Sequence, residues 1–413
     1  MGSHAESDAL HQRVQAFIDA SMRAAEPGRF DALALDLARF QADRVPALAR
    51  LVRSRGIDLA RAESADAIPA VPCDVFRLTR IAAHDPASDV RVFRTSGTTQ
   101  GGAARGEHPM RTTATYERAA LTWGEAMLFP GCARMRCIVL APRERDAPDS
   151  SLSFMIERFA DKLGGLATFH VSLDGDSASI DHDGVAQAAA EARNAGEPVL
   201  VMGTSFAFVH LLDAQGDRDL SLPEGSRVLQ TGGFKGRSRE VSAADLREQL
   251  ASAFSVSEAH VVGEYGMTEL SSQLYEGTLR NRLTSNDSRR YLAPPWVRVT
   301  AVDSESLAPL PAGEIGLARI VDRIAKRSRL KLRPMNLGNL NEELKIVHEV
   351  YNATLERNWG FVPISMEDLM AAADDIRAIA DPKLLLIAEM DGIDAGVAIT
   401  LPNFNEILIR TKS

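Results

Sequence analysis

Arg94-Thr95-Ser96-Gly97-Thr98-Thr99-Gln100-Gly101-Gly102 follows directly on the apolar run Val90-Arg91-Val92-Phe93. A strand that opens into hydroxyls and glycines reads as a loop whose backbone N–H groups can close around an oxyanion, because glycine reaches conformations that other residues avoid. Phosphate is the anion such a loop suits. A P-loop needs Lys and then Ser or Thr after its last glycine, whereas Gly102 is followed by Ala103 and Ala104, which excludes that motif. Taken alone, the stretch also allows an ordinary Ser/Thr/Gly-rich surface loop.

Downstream of it the pattern becomes regular. The spacing predicts helices over 112–127, 151–163, 184–194, 206–214 and 243–254, alternating with strands at 136–141, 167–171, 199–202, 228–229 and 260–262. Strands separated by helices of this length imply an α/β fold with a largely parallel sheet and helices on its faces, and ligands of such sheets sit at the carboxyl ends of the strands. Two strand ends carry turn chemistry: Met202 runs into Gly203-Thr204-Ser205, and Gln230 into Thr231-Gly232-Gly233-Phe234-Lys235-Gly236. Three glycines within five residues let backbone approach a flat ligand closely. A third end, after His260-Val261-Val262, is Gly263-Glu264-Tyr265-Gly266-Met267-Thr268-Glu269. A carboxylate such as Glu269 beside a triphosphate can hold Mg²⁺, and the Tyr265 ring offers a face to a purine. The plainer alternative makes Glu269 a solvated helix-start residue and Tyr265 a core residue.

Composition narrows the classes. A chain of 413 residues suggests two or three domains, and 45% apolar with 25% charged residues is globular rather than disordered. A net charge of −9 argues against a nucleic-acid partner. Cys73, Cys132 and Cys137 have no metal-ligand spacing, so neither a zinc site nor a disulfide framework is expected, and a reduced, cytoplasmic setting fits. No apolar run is long enough to cross a bilayer.

The motifs together resemble the adenylate-forming enzymes, and residues 71–321 are similar to their LuxE-type acyl-protein synthetase branch, which activates fatty acids for the bioluminescence fatty-acid reductase complex. The resemblance rests on Thr95-Ser-Gly-Thr-Thr99, Gly203-Thr-Ser-Phe-Ala-Phe208, Thr231-Gly-Gly-Phe-Lys-Gly236, Tyr265-Gly-Met-Thr-Glu269 and Gly313-Glu-Ile-Gly-Leu-Ala-Arg-Ile-Val321. It implies that a fatty acid or other carboxylate reacts with ATP to give acyl-adenylate and pyrophosphate, with Mg²⁺ at Glu269, and that the acyl group then passes to a protein thiol, such as that of an acyl reductase component. It also implies a nucleotide site formed by Thr95, Ser96, Gly97, Thr98, Thr99, Gly101, Gly232, Gly233, Phe234, Glu264, Tyr265, Gly266 and Met267. Thr268, Glu269 and Lys235 are the implied catalytic residues, with Arg105 adding charge at the loop. Phe206 and Phe208 either line an acyl pocket or belong to the core.

On either side of this stretch lie other segments. Residues 1–70 read as a helical cover. The character changes at residue 322: a basic run ends in an exposed strand at 329–333, then follow an amphipathic helix over 340–357, a helix opening at Ser365, and a hairpin of 384–389 with 395–401. This order resembles the first half of a GNAT-like acyltransferase domain over about residues 330–407, a small partial α+β segment. The acetyl-CoA motif of that domain is not found, nor are the mobile C-terminal domain and late cysteine of the LuxE type. The expectation is a fusion whose acyl transfer is impaired. The alternatives are an inactive scaffold that retains nucleotide binding and a related CoA ligase.

Overall fold

The computed structural model describes residues 4–24, 27–95, 105–164, 166–174, 177–232, 241–279, 289–302, 330–355, 365–371, 385–390 and 393–399. The chain divides into two compact units, Met1–Val299 and Thr300–Ser413.

The first unit starts with three helices, α1 (Ala5–Ser21), α2 (Pro27–Arg44) and α3 (Pro46–Ser54), and a single helical turn, α4 (Val75–Leu78). An antiparallel pair follows, β1 (Arg91–Arg94) with β2 (Glu107–Met110), the arms on either side of the Ser/Gly-rich loop. Next in order come α5 (Ala114–Met127), β3 (Arg136–Leu140), α6 (Ser151–Lys162), β4 (Ala167–Phe169), the hairpin of β5 (Val171–Asp174) and β6 (Ser177–Ile180), α7 (His182–Ala195), β7 (Val199–Thr204), α8 (Ser205–Asp213), β8 (Arg227–Thr231), α9 (Ala243–Phe254), β9 (Val261–Met267), β10 (Ser272–Glu276) and β11 (Tyr291–Leu292). Seven of these strands form one sheet in the order β11-β10-β9-β8-β7-β3-β4. From β9 to β4 all pairs are parallel; β9–β10 and β10–β11 are antiparallel.

Strict alternation along the strands divides the core between the two faces of the sheet. Ile138, Leu140, Val199, Val201, Val228 and Val261 join the cluster that holds Val185, Phe208 and Phe254 from α7, α8 and α9. Cys137, Val139, Leu200, Met202, Leu229 and Val262 join Trp123, Met127 and Phe159 from α5 and α6 on the opposite face. Burial on both faces is why these strands read as unbroken apolar runs. Phe208 is fully buried with its ring 6.3 Å from Phe254, so it is a core residue rather than a pocket wall. The N-terminal helices dock on α5: His11 Nδ1 lies 2.9 Å from Thr115 Oγ1, and Arg118 pairs with Asp19 at 3.1 Å.

Two expectations need correction. The sequence predicts a strand over Trp296 to Val302, but none spans it: a turn closes from Val297 N–H onto the Pro294 carbonyl, and Arg298 then leaves to pair with Asp31 at 2.9 Å and Asp66 at 3.0 Å. Glu264 to Met267 do not form a loop, because β9 continues through them and β10 pairs with that stretch, Tyr265 opposite Leu274 and Gly266 opposite Gln273. The strand that the sequence predicts over Glu314 to Ile320 lies outside the described residues.

In the second unit β12 (Leu330–Pro334), β13 (Leu385–Met390) and β14 (Ile393–Ile399) form an antiparallel sheet in that order, with helices α10 (Leu340–Leu355) and α11 (Met366–Ala371). Leu340, Leu344 and Val347 pack with Leu369, Leu385 and Ile387. Helical spacing predicts Tyr351 on the same face as Leu340, Leu344 and Val347, yet it is exposed. Arg333, at the end of the basic run, is neutralised by Glu343 at 2.8 Å and Glu389 at 2.7 Å.

Candidate functional site

At the carboxyl end of the parallel sheet, neighbouring strands are tied by side chains. Thr204 ends β7 and caps α8, its hydroxyl accepting the Ala207 N–H at 3.2 Å. Ser205 Oγ donates to the Gly232 carbonyl at 2.5 Å and accepts from Gln230 Nε2, locking the end of β8 to the start of α8. Gly232 has φ of 74°, the left-handed region that explains a glycine there. Thr231 and Glu264 are register partners on β8 and β9, and the Thr231 hydroxyl donates to the Glu264 carboxylate. Glu264 is only 5% exposed, and burial pushes its pKa up to about 7 although the Thr231 hydrogen bond pulls the other way. A Cβ at Gly266 would meet the Glu264 carboxylate, which would have to shift from its place beside Thr231. Glu264 therefore faces the interior of the strand end.

Tyr265 behaves oppositely. Strand alternation turns it outward; it is 52% exposed, with its ring edge-on to Tyr291 at 6.3 Å. Thr268 Oγ1 lies 3.2 Å from Ser151 Oγ at the start of α6. Beneath this contact the Tyr116 hydroxyl donates to the Ser151 carbonyl and accepts from Gln273 Nε2, both at 3.2 Å. Glu269 is half-buried and lines a cavity of about 500 Å³ together with His108 of β2.

The Ser/Gly-rich loop itself, Ser96 to Gly101 of the sequence-derived site, lies outside the described residues, as do Gly233, Phe234 and Lys235. Its base is well defined. Thr95 N–H donates to the Gly106 carbonyl at 3.0 Å, and Gly106 N–H donates back to Thr95 Oγ1 at 2.9 Å. Arg94 N–H donates to the Asp149 carbonyl at 2.8 Å, and Arg105 pairs with the Asp149 carboxylate at 2.7 Å. Arg105 thus braces the loop instead of standing free with its charge. Asp149 and Ser151 are two residues apart, so one short segment holds the loop base through Asp149 and the Tyr-Gly-Met-Thr-Glu segment through Ser151.

The bracing escaped sequence reading because Asp149 belongs to a polar turn with no motif of its own and Ser151 reads only as the first residue of a helix. The same holds for His108, the one aromatic nitrogen base in β2. Glu269, next in sequence to Thr268, supplies one hard carboxylate, the kind of donor that would join phosphate oxygens around a magnesium ion. Cys73 and Cys137 are poor nucleophiles. Burial pushes the Cys137 thiol up to about 12, and burial, then the Glu269 and Asp74 charges, raise that of Cys73.

The structure is that of an α/β protein whose parallel sheet carries, at its carboxyl edge, a Thr-Glu pair tied through Ser151 to the segment that braces the loop base. The family model described as acyl-protein synthetase, LuxE, matches residues 54–329, about two thirds of the sequence, and the chain belongs to that family of ligase-type enzymes. Among known proteins, the long-chain-fatty-acid–luciferin-component ligase of Aliivibrio fischeri is 24% identical over 266 residues, 62% of this chain and 65% of that protein. A bacterial ceramide synthase of Caulobacter vibrioides is 30% identical over 113 residues, 26% of this chain and 29% of that one. Protein YghO of Escherichia coli is 28% identical over 92 residues, 22% and 23% of the two chains. The chain spans less than two thirds of the length of each of these relatives. Among solved structures, ATP-bound MatB from Rhodopseudomonas palustris is similar with a TM-score of 0.37 and 15% identity, over 62% of this chain and 42% of that one. A 2-hydroxyisobutyryl-CoA ligase in its postadenylation state gives 0.40 and 14%, over 58% and 49%. No described helix is long and apolar enough to cross a membrane.

Proposed function

We propose that this chain activates a long-chain carboxylic acid with ATP and passes the acyl group to a thiol on a partner protein. In the first step a carboxylate oxygen attacks the α-phosphorus of ATP; a P–O bond forms, the bond to the β-phosphate oxygen breaks, and pyrophosphate leaves. In the second, a thiolate attacks the acyl carbon and AMP leaves. Phosphoryl transfer of this kind depends on positioning and charge stabilisation more than on covalent help from the protein.

The observation that supports this reading best is the bracing of two motifs by one segment, Asp149 on the loop base and Ser151 on Thr268. A loop that cradles phosphates and a carboxylate that neutralises them need a fixed separation, and this contact pair supplies it. Thr95 and Arg105 shape the loop at its base, Gly232 allows close approach of a flat base, and exposed Tyr265 offers a ring to stack on it. Glu269 would hold Mg²⁺, which when bound spreads the charge of the leaving pyrophosphate. Ser96, Gly97, Thr98, Thr99, Gly101, Gly233, Phe234 and Lys235 complete the proposed site. The acceptor thiol is assigned to a partner protein, a reading supported by the burial that raises the pKa of Cys73 and Cys137.

We also keep the division into 1–70, 71–321 and 322–413 as a proposal, with the proposed site residues all in the middle segment. The last segment is proposed as GNAT-like, supported by the strand, helix, helix and hairpin order of β12, α10, α11, β13 and β14.

Carboxylate-dependent exchange of labelled pyrophosphate into ATP tests the first step. Exchange that needs both a fatty acid and Glu269, lost in Glu269→Ala, is the expected outcome. Binding of ATP without any exchange would leave a nucleotide-binding scaffold in place of an enzyme.

A further inference from the structure

The Thr268 hydroxyl meets Ser151, and Ser151 is itself held from the core. Tyr116 of α5 is buried, its ring stacked on Phe154 of α6 at 5.6 Å and edge-on to Phe93 of β1 at 5.7 Å. A phenylalanine would pack in that cluster equally well, so the hydroxyl needs a reason of its own. A tyrosine hydroxyl has one hydrogen, and here it goes to the Ser151 carbonyl at 3.2 Å. Gln273 of β10 must then present an amide N–H to the remaining lone pair, which it does from Nε2 at 3.2 Å. Gln273 Oε1 is buried with no partner among the described residues, which costs folding free energy instead of supplying it. Gln273 is also the register partner of Gly266. Contacts therefore close a ring on the Tyr-Gly-Met-Thr-Glu segment, from Thr268 through Ser151, Tyr116 and Gln273 back to Gly266.

We infer that Tyr116 is a positioning residue: its hydroxyl, oriented by Gln273, sets the turn Thr268–Leu270 and hence the place of the Glu269 carboxylate relative to β1, the arm that enters the Ser/Gly-rich loop. The inference rests on the activation reading above and adds a residue that acts through Ser151 rather than on a ligand. The turn needs support from outside. It is a single 3-10 turn, closed by Ser271 N–H on the Thr268 carbonyl at 3.3 Å, and Ser271 follows it in the left-handed region with φ of 49°. Short 3-10 turns have poor hydrogen-bond geometry, and a serine at that φ persists only where its surroundings hold it. A buried hydrogen-bond chain supplies such a hold, because a bond displaced in the interior finds no water to replace it. Burial, then the Glu264 charge, raise the Tyr116 pKa, so the hydroxyl keeps its proton and stays a donor at neutral pH.

The double variant Tyr116→Phe/Gln273→Met tests this in the full chain. Removing both polar partners together strands neither, so its urea unfolding midpoint should equal or exceed that of wild type. Ser151→Ala cuts the same chain of bonds at its far end without touching the core, and Ser151→Thr should restore it. In the nucleotide-free protein, amide hydrogen exchange of residues 268–271 should quicken about tenfold or more in the double variant and in Ser151→Ala, with β3 and β7 unchanged. The maximal rate of pyrophosphate exchange should fall about 10- to 100-fold, the scale of a small misplacement, with KM for ATP within about twofold. Adding Tyr116→Phe to Ser151→Ala should cost less than about a further twofold, since both act through one contact. Tyr275→Phe, which removes a buried hydroxyl directed at Met155 Sδ at 3.9 Å, should change neither the turn nor the rate. An unchanged turn overturns the inference, as does loosening that spreads to β3 and β7, a loosened turn with the maximal rate intact, or effects of Ser151 and Tyr116 that multiply in full. A wild type that exchanges no pyrophosphate, while the turn still loosens in the variants, removes the activation reading and keeps Tyr116 as the residue that sets the turn.

Discussion

Replacing Glu264 by Gln should change how the stability of the protein depends on pH, in a direction that burial dictates. The carboxyl group sits between Thr231 and Tyr275 at the end of the sheet, and burial moves its pKa from 4.5 to about 7. Between those values the unfolded chain has released the proton and the folded chain still holds it, so stability falls as pH rises. The contribution of Glu264 is complete below about pH 4.5 and is gone above about pH 7. At about 1.4 kcal/mol per pH unit the loss is about 3 kcal/mol. Glu264→Gln keeps the size of the side chain and an oxygen to accept the Thr231 hydroxyl, yet cannot ionise. Urea unfolding of both proteins at intervals from pH 4.5 to 8 gives the difference in stability directly. Half-buried His11 and buried His108 and His170, whose pKa values burial lowers, act with the opposite sign: their contribution is present above about pH 6.5 and is lost as pH falls. They are common to both proteins and cancel. Relative to the Gln variant, the wild type should lose about 3 kcal/mol between pH 4.5 and 7. A difference that stays constant within 0.5 kcal/mol, or one that grows in favour of wild type with pH, would refute the reasoning.

Other consequences concern packing and the nucleotide. Thr231→Val removes the hydroxyl that favours ionised Glu264, so the pH at which wild-type stability levels off should move upward in the same titration. Gly203→Ala places a Cβ 2.8 Å from Leu140 Cβ and 3.3 Å from its carbonyl oxygen, and should cost about 1–3 kcal/mol in urea unfolding. Tyr265→Ala leaves stability within about 0.5 kcal/mol, because the ring is largely exposed. Loss of a stacking face worth roughly 1–3 kcal/mol should nevertheless weaken ATP by about 5- to 150-fold in equilibrium binding. Unchanged ATP affinity would show that Tyr265 does not face the base.

The parallel sheet was readable because strands buried on both faces must be apolar throughout, and Cys137 to Leu140 and Val199 to Met202 carry that mark. The antiparallel extension was not. Ser272 to Glu276 hides polar Gln273 and Glu276 in the interior, where Gln273 reaches the Tyr116 hydroxyl and Glu276 accepts from Gly263 N–H and Arg289, so its sequence lacks an apolar signature. That strand is also why Glu264 to Met267 lie in β9 instead of a turn. Within the candidate site, side-chain type was legible and side-chain direction was not. Glu264 and Tyr265 are adjacent in one motif, but a period of two sends the first inward and the second to solvent. Long-range partners such as Asp149 for Arg105, Ser151 for Thr268, and α3 with β2 around a shared cavity come from tertiary packing, which leaves no local pattern.

The chemistry itself is tested most directly by the fate of a carboxylate oxygen. A fatty acid labelled with ¹⁸O in its carboxyl group would be incubated with the chain, ATP and Mg²⁺, with hydroxylamine as acyl acceptor, and the nucleotide and phosphate products analysed by mass spectrometry. Activation as an acyl-adenylate requires one labelled oxygen to appear in AMP and none in pyrophosphate, with the label in AMP lost in Glu269→Ala. Label in inorganic phosphate, or hydroxamate formed with unlabelled AMP, would contradict attack of the carboxylate at the α-phosphorus and with it the role assigned to this site.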